Sequence, residues 1–179
     1  MGIEKDFNPV NLFSGFIYRE EKVYEEIKQR LEKQYSRVDM ESDVFPFVFT
    51  TYYNKEMGDR LYRRFVSFEK LIRPELLPDI KLDSNIIEIE TSLDGNRIIN
   101  LDPGYLSDAN VIIATTKNYY QRVPLTKGIY AHMEYIIKGK KLYTLEWTYP
   151  DFKSDEYMEF FERLRLLYKR KIKEQHPIH

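Results

Sequence analysis

The sequence predicts one α+β domain: a ferredoxin-like split β-α-β core, a C-terminal antiparallel β extension and a closing helix. Three observations predict it. Short β-rich runs alternate with amphipathic helical stretches through the first hundred residues. Hairpin-like pairs follow, and the final stretch from Asp155 to Glu174 carries an apolar stripe long enough to cover a sheet. At 179 residues the chain can bury a substantial core as one unit, with residues 1–8 and 175–179 expected as flexible tails.

The elements follow in order. "VNLFSGFIYR" from Val10 is a short apolar run that reads as a buried strand. In "REEKVYEEIKQRLEKQYS", Val23, Ile27, Leu31 and Tyr35 recur every four residues, and acids fill the first turn: an amphipathic helix. "SRVDMESDVFPFVFTTYYNKEMG" predicts a strand with a break or edge at Pro46 and an end at Met57-Gly58. "RLYRRFVSFEKLI" alternates as a strand.

"RPELLPDIKLDSNIIEIETSLDGN" admits two readings. Pro74 at a first-turn position and Asp94-Gly95 beyond the end favour a helix, whereas "NIIEIET" alone resembles a strand. The choice matters, because a strand would put Glu88 and Glu90 on one face and a helix would separate them. Strands are then expected at Arg97–Leu101, Asn110–Thr116, Tyr120–Leu125, Ile129–Ile137 and Lys141–Trp147, with "KGKK" as a tight hairpin turning at Gly139.

Lys and Arg total 28 against 29 Asp and Glu, so no global field favours nucleic acid or an anionic membrane. The chain has no cysteine, which removes disulfides, thiolate nucleophiles and zinc–cysteine sites. Of three histidines, His176 and His179 fall in the expected tail. No run approaches the ~18 apolar residues of a transmembrane helix, and the first residues do not read as a signal peptide, so the expected location is cytoplasmic.

Three blocks together carry a family resemblance: "PFVFTTYYNKEMG" with "RRFVSFEKLI", then "IKLDSN", then "NLDPGYLSDANVIIATTK" with "RVPLTKGIYAH" and "WTYPDF". From about Val10 to Phe161 the chain resembles a prokaryotic domain family of unknown function, DUF4416, whose members carry a loose genomic label of GTP-binding protein. The resemblance implies no catalytic roles. A phosphate-binding loop needs Gly-x-x-x-x-Gly-Lys-Ser/Thr, and nothing in the chain matches it. Asn54-Lys55-Glu56-Met57 lacks the aspartate expected of a guanine-reading motif. A nucleotide held by some other geometry stays open.

Asp102-Pro103-Gly104 suits a type II turn, projecting Asp102 and Tyr105 toward a cleft. Thr115 and Lys117, two apart on a strand, share a face and offer a hydroxyl and a cation for an anion; Arg122 is a second cation if the chain folds back. "FTTYYNKEMG" gathers Tyr52 and Glu56 at a bend, and Arg64 or Arg63 could clamp an anion bidentately. Lys81 and Asn85 share a helix face. Trp147 and Tyr149 could form a stacking wall. Each of these also has an ordinary structural explanation, as caps, sheet packing or surface ion pairs.

The expected function is binding of a small anionic ligand, a nucleotide among the options, through Asp102, Tyr105, Thr115, Lys117, Arg64, Tyr52 and Glu56. One alternative is a metal-dependent phosphoester or nucleotide hydrolase using Asp102, Glu56, Glu134 and His132 with magnesium. The other is an interaction or scaffold protein, such as a homodimer using an edge strand.

Overall fold

The structure is a computed structural model and describes residues 2–175, so the expectations for Met1, His176 and His179 lie outside the described residues. Strand β1 (Val10–Tyr18) is buried along its whole length. Helix α1 (Glu21–Gln34) buries Tyr24, Ile27 and Leu31, the stripe its four-residue spacing dictates. Strands β2 (Val38–Glu41) and β3 (Phe45–Pro46), the helical turn α2 (Asn54–Met57) and strand β4 (Tyr62–Ile72) come next.

Helix α3 (Leu77–Glu90) is entered through a 3-10 turn at Pro74–Leu76. Proline is at home there, because a first-turn N–H has no intrahelical acceptor to lose. Strands β5 (Ile99–Leu106), β6 (Asn110–Thr115), β7 (Val123–Pro124), β8 (Tyr130–Lys138) and β9 (Lys141–Thr144) follow, then a 3-10 turn at Asp151–Lys153 and helix α4 (Asp155–Gln175).

The nine strands form one antiparallel sheet in the order β2-β4-β1-β5-β6-β8-β7, with β3 on β4 and β9 on β8. Alternation along the strands divides the core in two. Leu12, Phe16, Val66, Phe68 and Leu101 face α1 and α3. Phe13, Phe65, Val111, Ile113 and Tyr135 face α4, whose Tyr157, Phe160, Phe161 and Leu164 complete that layer. Nothing among the described helices is long and apolar enough to cross a membrane.

The expected turn at Asp102-Pro103-Gly104 is corrected: all three residues lie inside β5, paired with Gly15, Ser14 and Phe13 of β1. Both residues tolerate the strand for local reasons. Leu101 turns its N–H and C=O away from β1, so Pro103, two residues on, does too. The β5–β6 ladder begins only at Gly104↔Ile113, so the missing proline N–H breaks no ladder bond. At Gly104, a Cβ would overlap the Ile112 carbonyl oxygen and come within 2.5 Å of Phe13 Cζ. Glycine is required there by close packing, not by a left-handed backbone.

Three further expectations are adjusted. The long strand through Met57 stops at Pro46, and residues 47–53 form an irregular segment whose Phe47 and Tyr53 pack with Ile17, Met57 and Leu61. The strand at Tyr120–Leu125 shortens to two residues. The last strand ends at Thr144, and Trp147 donates its indole N–H to the Met133 carbonyl. The helical reading of 77–90 holds, with Gly95 at φ 77° beyond it. Glu88 is buried and Glu90 pairs outward with Arg30 at 2.7 Å, so the two glutamates share no site. Gly139 turns the β8–β9 hairpin at φ 60°.

Candidate functional site

On the sheet face that carries α4, neighbouring strands change character together. Phe65 is followed outward by Arg63, Phe13 by Gly15, Gly104 by Asp102 and Ile113 by Thr115. Aromatic core thus gives way to a polar floor at one end of the sheet. Arg63 is 2% exposed and reaches across Gly15 to Asp102, Nη1 to Oδ2 at 2.6 Å; its Nη2 lies 3.6 Å from Asp151. Gly15 makes the crossing possible, since a Cβ there would stand 3.3 Å from the Arg63 guanidinium carbon.

The same end of the sheet forks. Pairing between β5 and β6 covers only Gly104–Leu106 with Val111–Ile113, and beyond it the two strands line opposite walls of a cavity of about 1110 Å³. The free edge of β5 is satisfied from α3: Glu88 accepts the Leu101 N–H at 2.7 Å, and Lys81 donates to the Leu101 carbonyl at 2.8 Å. Both side chains are buried, and a buried backbone pair left open would be costly.

On the β5 side, charges are largely matched. Arg97 grips Glu56 bidentately (2.7 and 3.0 Å), donates to Asn100 and stands 3.6 Å from Glu88. Asn100 in turn donates to Asp102 at 3.0 Å. On the β6 side they are not. Lys117 Nζ sits 4.1 Å over the Tyr52 ring, and its backbone N–H is held by the Thr115 hydroxyl. Arg122 donates to the Lys117 carbonyl, the Tyr149 hydroxyl and His132 Nδ1. Neither cation has a carboxylate partner among the described residues.

Burial and neighbours push the acids of the floor apart. Burial opposes ionisation of Asp102, but Arg63 and then Lys81 outweigh it, and its carboxyl is held below the usual range. Asp151 is raised, chiefly by burial, which the same Arg63 offsets only in part. Behind Tyr149, His132 stacks on the tyrosine ring at 4.6 Å and lies 3.4 Å from Glu134. Burial, and then the Arg122 charge, lower His132 to about 4, while burial raises Glu134 well above an ordinary carboxyl. Arg122 occupies Nδ1, so the neutral ring carries its proton on Nε2, toward Glu134.

Residues 8–168 match the family described as Domain of unknown function (DUF4416). The chain belongs to this family. Comparison with curated proteins and comparison with solved structures give no match.

Within this DUF4416 domain, the residues singled out from sequence divide cleanly. Asp102, Thr115, Lys117 and Tyr52 line the cavity. Glu56 stands just behind its wall, holding the lining residue Arg97. Arg64 lies on the α1 face, where Glu21 and Glu41 take its guanidinium at 2.8 and 2.9 Å. Tyr105 also faces away, packed on the cluster of Leu77, Ile112, Ala114 and Ile129. Strand parity explains both: Arg63 and Asp102 share the floor, so Arg64 and Tyr105, at odd offsets from them, cannot.

Lys81, Asn85, Arg122 and Tyr149 reach the same cavity. Arg97, Glu88, Asn100 and Asp151 were not singled out as ligand contacts; their polarity is visible in the sequence, but their convergence depends on the fork. For the carboxylates of the hydrolase alternative, Asp102 is taken by Arg63 and Glu56 by Arg97. Among the described residues no three His, Asp or Glu side chains form a metal-binding group.

Proposed function

We propose that this DUF4416 domain binds a small anionic ligand in the cleft at the forked end of its sheet. One observation carries the reading: Lys117 and Arg122 stand on one wall of a cavity of about 1110 Å³ as cations without carboxylate partners among the described residues. Arg122 is half-buried, where the screening of its attraction for an anion is reduced, and Lys117 stands at the exposed rim beside it. Three hydrogen bonds hold Arg122 in place before any ligand arrives, which lowers the ordering cost of binding. The volume suits a ligand of nucleotide or sugar-phosphate size.

We also read β1-α1-β2-β4-α3-β5 as the ferredoxin-like split β-α-β core, with β6–β9 and α4 as its extension. The spatial order β2-β4-β1-β5 supports this, since β4 separates β1 from β2. On that reading, the cleft opens where the extension joins the core.

Thermal denaturation in the presence of millimolar nucleotides and sugar phosphates tests the binding proposal. A ligand at a hundred times its Kd adds about 2.7 kcal/mol, and Lys117→Ala should remove the gain. A panel with no stabilised member, or stabilisation that Lys117→Ala leaves intact, overturns the proposal.

A further inference from the structure

Resting on the anion-binding reading, we infer that the cleft selects a ligand with one anionic group and several hydroxyls, of the sugar-monophosphate class, over a polyphosphate. The cavity is electrostatically two-sided. Lys117 and Arg122 supply two cations on the β6 side that have no carboxylate partner among the described residues. Facing them, Asp102, Asp151 and Glu88 line the same cavity.

The cations on that acidic side are already engaged. Arg63 is shared between Asp102 and Asp151, Arg97 between Glu56 and Glu88, and Lys81 donates to the Leu101 carbonyl with its charge near Glu88 and Asp102. Arg63, Arg97 and Lys81 stand there against Asp102, Asp151, Glu56 and Glu88, so a second or third phosphate reaching across finds no surplus positive charge. Hydroxyls fit instead. A carboxylate oxygen accepts more than one hydrogen bond, so Asp102 can take a ligand hydroxyl in addition to Arg63 and Asn100. Asp151 has only the 3.6 Å contact with Arg63 as an ion pair.

The mouth fits the same class. Phe49 and Tyr52, both partly exposed, line the cavity from the irregular 47–53 segment. Exposed aromatic surface suits the C–H face of a sugar ring, leaving its hydroxyl edges for the carboxylates. One phosphate between Lys117 and Arg122 places the sugar over this floor.

Calorimetric titration of the full chain with ribose 5-phosphate, inorganic phosphate and ATP, the last with and without magnesium, decides it. Ribose 5-phosphate should bind about tenfold or more tighter than either of the others, the gain of one or two hydrogen bonds to carboxylates. Asp151→Asn should reduce ribose 5-phosphate toward the phosphate value and leave inorganic phosphate within about twofold. Equal affinities for ribose 5-phosphate and phosphate, or tighter ATP, with all binding still lost in Lys117→Ala, would overturn the sugar-monophosphate selection and leave the anion site standing. No binding by any of the three would overturn both. The wild-type comparison needs no variant, so a failure of Asp151→Asn to fold does not rescue the idea.

Discussion

Arg63 holds Asp102 across the bare backbone of Gly15, Nη1 to Oδ2 at 2.6 Å, with the arginine almost wholly buried. A buried cation that loses its partner keeps its desolvation penalty. Asp102→Ala should therefore destabilise the fold by about 3 kcal/mol, the lower end for breaking a buried pair, because Asp102 is itself partly exposed and Asp151 remains. Urea denaturation measures this. Arg63→Met combined with Asp102→Leu and Asp151→Asn should cost clearly less per site than the single Asp102→Ala, since no orphaned charge is left.

Gly15→Ala probes the crossing itself. Its methyl would stand 3.0 Å from Phe65 Cε1 and 3.3 Å from the Arg63 guanidinium carbon, so one of them must yield. We expect a loss of about 1–3 kcal/mol, and a weaker anion site if the guanidinium is what moves. Gly104→Ala should be worse, because backbone stands in the way there and cannot rotate aside. A Gly104→Ala variant as stable as the parent would contradict the strand packing described here.

The pH dependence should show opposing slopes. His132 is lowered to about 4 in the folded state against about 6.5 unfolded, so the unfolded chain binds more protons between those values. Its contribution to stability is complete above about 6.5 and is lost as pH falls toward 4, on the order of 3 kcal/mol. Glu134 is raised, so the folded state holds its proton longer, and that contribution declines as pH rises above about 4.3. Glu134→Gln removes the second slope and keeps an acceptor for the Tyr149 N–H. Stability measured from pH 4 to 6.5 should rise more steeply in the variant than in the parent.

The Glu56–Arg97 pair links α2 to the entrance of β5, and both partners are about a third exposed or less. Glu56→Gln should alter global stability by less than about 1 kcal/mol. Amide hydrogen exchange should nonetheless quicken in residues 54–58, whose remaining ties are local turn bonds. Unchanged exchange there would show that hydrophobic packing of Tyr53 and Met57 alone fixes the segment.

How much of this could be read from the chain follows from the range of each signal. The helices α1, α3 and α4 were legible because their apolar spacing and bracketing residues are local. Thr115 and Lys117 do line one cavity, but β6 ends at Thr115 and Thr116 lines it too, so the strand parity that suggested the pair is not what brings them together. Asp102-Pro103-Gly104 misled for an equally physical reason: proline and glycine usually mark turns, yet here one faces an unpaired edge and the other yields room to Phe13. Choosing Arg63 over Arg64 required knowing which face opens into the cavity, because both faces carry acids: Asp102 and Asp151 beside Arg63, Glu21 and Glu41 beside Arg64. Arg97, Glu88 and Asn100 were unreadable as a group because a gap in the sheet brings them together.

That gap is itself held open by design of the chain. With Glu88 and Lys81 gripping both backbone groups of Leu101, that residue offers β6 no free bond to zip against, and none to a stray strand from another molecule. Weakening either helix side chain would therefore free a Leu101 backbone group for strand pairing.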